Sequence, residues 1–162
     1  MLNLPVNGAN TILSQVINPG TLKVSAPNSS SFTMVDLDDL PDIGATTNAT
    51  ITPVKIKDHR AGSPGWSVTQ TCEDFVSGSD AIAVTNLTVN PSDLTAVGNT
   101  SLTGVSKGSA HNFTGTTDPA TLATATTGSG QGRFSQDEGL ELFIDVATVP
   151  GTYNATSTIT IS

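Results

Sequence analysis

The 162-residue sequence has little cysteine, little positive charge and few of the residues that usually cover helices. Its one cysteine, Cys72, excludes a disulfide framework within the chain and a cysteine-rich metal site. Six Lys and Arg residues stand against 14 Asp and Glu residues, and the resulting charge of −8 repels nucleic acid and anionic lipid. Lys, Arg, Glu and Gln together number 13, which is too few for the exposed faces of a helical bundle.

Long apolar runs and catalytic motifs are also absent. No apolar run approaches the length that a membrane-spanning helix needs, so we expect no membrane span. The N-terminus lacks a cationic segment followed by an apolar core, so a secreted form would already have lost its signal peptide. The two histidines belong to no His-Glu-x-x-His motif, and the sequence has no Gly-x-Ser-x-Gly motif or phosphate-binding loop. The sequence therefore predicts a non-enzymatic protein without a cofactor.

What the chain has in abundance is threonine and serine, together with enough Leu, Ile, Val and Phe to allow a packed core. Apolar and polar residues alternate over 140–146 and 153–161, and shorter alternating runs recur between turn signals. This pattern predicts an all-β fold: an antiparallel β-sandwich of roughly 9–11 strands, Ig-like or jelly-roll-like, over residues 21–162. Pro150 and Gly151 suggest a turn that joins the last two strands as a hairpin.

Two regions leave alternatives open. Residues 91–137 contain few bulky apolar side chains and are either short edge strands or long loops. In the N-terminal segment, residues 1–20, the apolar residues Ile12, Leu13, Val16 and Ile17 fit either a helical stripe or a strand buried on both faces. We take these four as candidates for a strand exchanged between copies of the chain.

Several polar groups invite a functional interpretation. Asp36, Asp38, Asp39 and Asp42 form an acidic cluster without the spacing of an EF-hand, so a solvated loop is favoured over a weak Ca²⁺ candidate. Asn-x-Ser/Thr triplets, which are candidate glycosylation sites in a secreted protein, occur at Asn28, Asn48, Asn86, Asn99, Asn112 and Asn154.

The stretch from Val54 to Thr69 places a strand before Asp58 and Arg60 and a Gly65-Trp66 pair before the next strand. The spacing of Asp58 and Arg60 predicts a structural ion pair. Trp66 is expected to anchor the core, with Cys72 on the same strand face.

This stretch, together with Leu140 to Val146 and the sequence Pro150-Gly151-Thr152-Tyr153-Asn154-Ala155-Thr156, resembles WxL-type surface domains, which are secreted β-sandwich modules of bacterial cell walls. One of the two family tryptophans is present, since Thr158-Ile159-Thr160 replaces the second Trp motif. The resemblance implies an extracellular, cell-surface location and peptidoglycan binding. The residues that carry it are Asp58, Arg60, Gly65, Trp66, Gly151 and Tyr153.

Two functions follow from these observations. The first is a subunit of a pilus-like surface filament, in which the partner is a second copy of the chain and a terminal strand completes the neighbour's sheet. It is favoured by the apolar N-terminal segment and by sheet edges with few Lys or Glu residues to block pairing. The alternative is a monomeric module that binds a cell-wall polymer.

Overall fold

The computed structural model describes residues 12–162, and β-strands make up most of its regular structure. The strands are β1 Leu22–Ser25, β2 Ala45–Asp58, β3 Trp66–Cys72, β4 Phe75–Ser77, β5 Asp80–Ile82, β6 Leu87–Pro91, β7 Thr95–Ala96, β8 Val105–Lys107, β9 His111–Asn112, β10 Ala120–Ala125, β11 Gly132–Ile144 and β12 Ser157–Ile161. Two single-turn 3-10 helices, Leu37–Asp39 and Val84–Asn86, are the helices of this part of the chain. The all-β prediction is confirmed.

Two antiparallel sheets share one core. The first has the order β1-β2-β11-β6-β9, with β7 also paired to β11, and the second has the order β12-β3-β10-β8. Strands β4 and β5 form a separate two-stranded ribbon. Buried apolar residues of both sheets belong to a single cluster, as a β-sandwich requires.

The long central pair β2 and β11 runs in register from Asp58 opposite Gly132 to Ala45 opposite Ile144, with one irregularity between Gln136 and Glu138. Alternation along β2 follows the expected parity, because Val54 and Ile56 are buried while Lys55 is exposed. Successive side chains of a strand point to opposite faces, so this one strand supplies both core and surface.

Trp66 lies in the core, as predicted. Its side chain is 5% exposed, its ring packs 5.6 Å from that of Phe134, and its Nε1 donates a hydrogen bond to the Gly130 carbonyl at 2.9 Å. Cys72, on the same face of β3, is also buried. A buried Trp with a satisfied N–H is a strong anchor for a chain with few aromatic residues.

The predicted C-terminal hairpin is wrong. Strand β12 pairs with β3 in the second sheet, and β11 pairs with β2, β6 and β7 in the first. The Pro150-Gly151 turn therefore lies inside a connection that crosses from one sheet to the other. Alternation of side chains marks a strand but does not select its partner, and the connection over 145–156 is long enough to reach the opposite sheet.

Residues 91–137 contain both of the structures that the sequence left open. Three short strands, β7, β8 and β9, are joined by irregular segments, and β10 has four of its six residues buried. Small side chains on β10, Ala120, Ala123 and Ala125, suit the space against the other sheet.

Candidate functional site

The N-terminal segment carries apolar side chains that pack on nothing in the described chain. Ile12, Leu13, Val16 and Ile17 are 93%, 90%, 79% and 86% exposed, and residues 12–20 form neither helix nor strand. The helical and doubly buried interpretations are therefore both wrong for residues 12–17 within this single chain. Residues 1–11 of the predicted segment lie outside the described residues.

The segment is attached to the sandwich where β1 begins. The backbone N–H of Gly20 donates to the carbonyl of His59 at 2.9 Å, and the N–H of His59 donates to Thr21 at 3.3 Å. A Cβ on Gly20 would stand 2.3 Å from the Cβ of His59, so only glycine permits this approach. The chain preceding Gly20 thus meets the sandwich at the end of β1 that adjoins Asp58.

A groove of about 510 Å³ opens between the two sheets, along one side of the sandwich. We call it the seam groove. One wall consists of residues 24–30 with Phe32, and the other of Asn154, Ala155, Ser157 and Ile159. Six further side chains reach it from the sandwich interior: Ile51, Gln70, Cys72, Phe75, Leu87 and Leu140. Buried core side chains therefore form the floor of the groove.

The groove is flanked by two sheet edges. Within the described chain β1 pairs only with β2, and β12 pairs only with β3. The segment after β1 continues along β2, since Ser30 Oγ donates to Thr50 at 2.8 Å and the Thr33 N–H donates to Asn48 at 3.1 Å. Each edge presents backbone N–H and C=O groups on its outer side, where a further strand is able to pair.

Gln70 places a polar atom without a partner beside the groove. Its side chain is 1% exposed and its Nε2 donates to Ser157 Oγ at 2.7 Å. Its Oε1 is buried and accepts no hydrogen bond from any described residue. Leaving a buried acceptor unpaired costs about 1–3 kcal/mol, so a donor entering the groove at this point would gain that energy.

Two more buried polar side chains lie on β11. Gln136 Nε2 donates to the carbonyls of Ser92 and Leu122 at 2.7 and 3.1 Å. Glu138 is 0% exposed, and neither of its carboxyl oxygens has a hydrogen-bond partner in the described chain. Burial, with a smaller contribution from the charge of Asp137, raises the pKa of Glu138 to about 8. The group is therefore mainly protonated and neutral at pH 7.

The six residues that carry the WxL resemblance divide between two places. Asp58 is fully buried and accepts hydrogen bonds from the Arg60 side chain with both oxygens, at 3.0 Å each. Arg60 Nη2 also donates to the Gly65 carbonyl at 2.6 Å, directly before Trp66. Burial raises the pKa of Asp58, but the hydrogen bonds and charge of Arg60 outweigh it and hold the pKa below its ordinary value. These four residues brace the turn between β2 and β3.

Gly151 and Tyr153 belong to the crossing connection before β12. The Tyr153 hydroxyl donates to the Val149 carbonyl at 2.8 Å, and a Cβ on Gly151 would meet Ser77 Oγ at 2.5 Å. Both residues therefore stabilise the conformation of the connection. They are distant in the sequence from the turn that contains Gly65 and Trp66. No single surface displays all six motif residues, because Asp58 and Trp66 are buried.

The six candidate glycosylation sites are reachable from solvent. Asn86 is partly exposed and the other five are exposed. Two of them, Asn28 and Asn154, line the seam groove. A glycan on either would occupy the space in front of the groove.

The acidic residues do not converge on a metal site. Asp36 caps the 3-10 helix through the backbone N–H of Asp38 at 3.1 Å, and all four carboxylates of the cluster are exposed. Within residues 12–162 there is no group of three or more His, Cys, Asp or Glu side chains placed to hold a metal. The weak Ca²⁺ candidate therefore gains no support from the geometry. The described residues also form no helix of the length and apolarity needed to cross a membrane.

The buried polar residues of β3 and β11 are the features that sequence reasoning missed. A signal for them exists, because strict alternation from Trp66 through Val68 puts Gln70 on the core side of β3. The same rule, applied to β11 from Leu140 backward, puts Glu138 and Gln136 inside.

Comparison with known proteins adds no family. No protein-family model matches the chain, and neither does any curated protein. A solved structure of a family 123 glycoside hydrolase from Clostridium perfringens, studied for glycolipid glycan hydrolysis, matches 88% of this chain at 19% identity with a TM-score of 0.45. The chain spans about 25% of that hydrolase chain. A likeness this distant carries no argument about function, which has to be argued from the geometry.

Proposed function

We propose that this protein is a non-enzymatic structural subunit of an extracellular, pilus-like filament, joined to its neighbours by exchange of the N-terminal strand. The observation that supports the proposal most directly is the exposure of Ile12, Leu13, Val16 and Ile17, each at least 79% exposed. Monomeric proteins rarely leave a contiguous apolar segment in water, and such a segment usually marks an interaction site.

The energy available to such an exchange is considerable. Burying one Val, Leu or Ile side chain fully contributes about 1.5–3 kcal/mol, and a strand seated with one face inward buries every second side chain. Two inward apolar residues of the segment would thus contribute about 3–6 kcal/mol. Main-chain hydrogen bonds to the acceptor sheet add to this and fix the register.

The character of strand β12 is consistent with assembly. Its exposed residues are Ser157, Thr158 and Thr160, none of which carries charge. Natural sheets commonly protect a free edge with Lys, Pro or a bulge, and this strand has none of these. An edge of this kind favours pairing with another chain.

An extracellular location accords with the WxL resemblance and with the accessible Asn-x-Ser/Thr triplets. No cofactor or catalytic residue is part of this proposal. The partner it requires is a second copy of the same chain.

Deletion of residues 2–17 tests the proposal. The intact protein is expected to form rods visible by negative-stain microscopy and a large species by light scattering, whereas the deletion variant stays monomeric. Replacing Ile12, Leu13, Val16 and Ile17 together by Ser should have the same effect without shortening the chain. The matched control replaces Met34 and Ile43 by Ser, because these residues are 92% and 82% exposed but lie outside the N-terminal segment. This variant is expected to form rods. Rods that survive both N-terminal changes would refute strand exchange.

The alternative proposal is a monomeric cell-wall-binding module, for which the WxL resemblance is the reason. The burial of Trp66 and Asp58 weighs against it, because a sugar cannot stack on a ring that is 5% exposed without opening the core. A pull-down with purified peptidoglycan separates the two proposals: a single-chain species that binds the polymer would favour the alternative.

A further inference from the structure

The seam groove and the segment before β1 share an uncharged character. None of the residues that line the groove is charged, although Asp, Glu, Lys and Arg make up 12% of the chain. The first charged residue of the sequence is Lys23, so residues 12–17 are also uncharged. Neither surface therefore has to desolvate a charge if the two come together.

The length of the N-terminal segment also matches the length of the strand beside the groove. Six extended residues span about 20 Å, which is close to the length of about 17 Å expected for a five-residue strand such as β12. Within the described chain β1 and β12 each hydrogen-bond to a single neighbouring strand, although the two strands approach each other across the seam. A strand entering the groove therefore meets unpaired backbone groups. The floor it would cover consists of core side chains such as Ile51, Phe75 and Leu140.

An extended conformation gives the segment two different faces. Leu13, Gln15 and Ile17 lie on one, and Ile12, Ser14 and Val16 lie on the other. The first face carries an amide between two large apolar side chains, which matches an apolar floor interrupted by Gln70, whose Oε1 is buried and unpaired. The Gln15 amide has N–H groups to donate and a longer reach than the Ser14 hydroxyl.

We propose that residues 12–17 of a second copy of this chain occupy the seam groove as an added β-strand, with Leu13, Gln15 and Ile17 facing the core and the Gln15 amide donating to Gln70 Oε1. This inference rests on the proposed function and identifies the acceptor site for the exchanged strand.

The occupant is a second copy because a chain does not reach its own groove in this arrangement. Gly20 is fixed against His59, at the end of β1 that adjoins Asp58, and residues 12–17 precede it. The groove adjoins Val24 and Ser25, at the other end of β1, and the residues that follow them. A self-inserted segment would have to reverse direction between Ile17 and Leu22, and the four apolar side chains would then be covered instead of exposed.

Cys72 provides a test, since it lines the groove and is the only cysteine of the chain. Single cysteines are introduced as Leu13→Cys, Gln15→Cys and Ile17→Cys, with Ile12→Cys, Ser14→Cys and Val16→Cys as matched controls on the other face. A disulfide requires Cα atoms about 4.4–6.8 Å apart, so cross-linking reports the face that enters the groove. Assembled protein is oxidised with copper phenanthroline, because burial raises the pKa of the Cys72 thiol to about 11 and spontaneous exchange is slow.

At least one of L13C, Q15C and I17C is expected to give disulfide-linked chains on a non-reducing gel, at least tenfold more than any control, and Cys72→Ala should abolish them. Rods without any Cys72 cross-link would overturn the assigned groove while leaving filament formation intact. Cross-links confined to the control set would overturn the orientation. A disulfide within one chain would overturn exchange with a second copy. Absence of rods from the unmodified protein would refute the proposed function itself.

A second measurement tests the Gln15–Gln70 contact. Gln15→Leu removes the donor and leaves Gln70 Oε1 buried without a partner, so the critical concentration for assembly should rise about fivefold or more. Ser14→Ala, on the opposite face, should leave it unchanged. A larger effect from Ser14→Ala than from Gln15→Leu would contradict the assigned contact.

Discussion

Glu138 allows the sharpest quantitative prediction about this fold. Its carboxyl group is fully buried, sits between Ile51 of β2 and Pro91 of β6 in the sheet, and has no hydrogen-bond partner in the described chain. Replacing it with glutamine keeps the shape of the side chain and removes the group that ionises. The variant Glu138→Gln therefore separates the cost of a buried charge from the cost of lost packing.

The direction in which the stability difference changes with pH follows from the pKa of Glu138. In the folded protein the pKa of Glu138 is about 8, against an ordinary value of 4.5, so the folded state binds this proton more tightly than the unfolded state does. The contribution of Glu138 to the free energy of unfolding is therefore fully present below pH 4.5 and is lost as pH rises through 8. A pKa difference of this size corresponds to about 5 kcal/mol. Relaxation and water entry around the charge reduce the measurable effect, and we expect about 2–5 kcal/mol.

Urea denaturation at pH 4, 6 and 8.5 measures this difference directly. Glu138→Gln should equal the unmodified protein within about 1 kcal/mol at pH 4 and exceed it by about 2–5 kcal/mol at pH 8.5. Glu141→Gln is the matched control, because Glu141 lies on the same strand but is exposed. If Glu138→Gln shows the same pH slope as the unmodified protein, or is the less stable protein at pH 8.5, the carboxyl group is not buried as described.

Three further predictions concern the turn between β2 and β3 and the core. Trp66→Phe removes the hydrogen bond to Gly130 and part of the ring. Urea titrations should show a free energy of unfolding lower by about 1–3 kcal/mol. Phe143→Leu, at an exposed position, is the control and should show a smaller change. Asp58→Asn breaks the bidentate contact with Arg60 and should cost about 1.5–3 kcal/mol at pH 7. The pKa of Asp58 is lowered, so its contribution is present above the ordinary value of 3.8 and is lost as pH falls further, and the cost of the substitution should shrink there. A cost that stays the same at low pH would contradict the ion pair. At pH 7, Cys72 should react with a maleimide at least 100-fold more slowly in the native protein than in 6 M guanidinium. The reason is that burial raises the pKa of the thiol to about 11. Equal rates would place the thiol outside the core.

Much of the fold was predictable because strands have a local signature. Alternation predicted β3, β12, the end of β2 and the last part of β11, from Leu140, whereas residues 132–137 of β11 fell in the region left open. The parity of β3 correctly placed Trp66 and Cys72 inside. The ion pair of Asp58 and Arg60 followed from their spacing and is present. These features depend on neighbours a few residues apart, and that information lies within the sequence pattern itself.

The candidate site was only half predictable. The sequence singled out Ile12, Leu13, Val16 and Ile17, since their apolar character is a local property. It did not indicate the seam groove, because the two walls come from residues 24–32 and 154–159, which lie near opposite ends of the chain. The mistaken C-terminal hairpin hid this groove, since β12 reaches its place at the edge of the second sheet only by crossing from the first.

By itself, the sequence determined that this is an acidic, threonine-rich, all-β protein with an uncharged apolar N-terminal segment. Composition and period-two alternation fix such properties because they reflect which side chains face water and which face the core. The tertiary structure decided which strands are edges, which core side chains form the floor of a groove, and that Gln70 and Glu138 are buried without a full set of partners. These three features depend on pairing between segments that are distant in the sequence. Strand pairing is set by the packing of the whole sandwich rather than by any one segment.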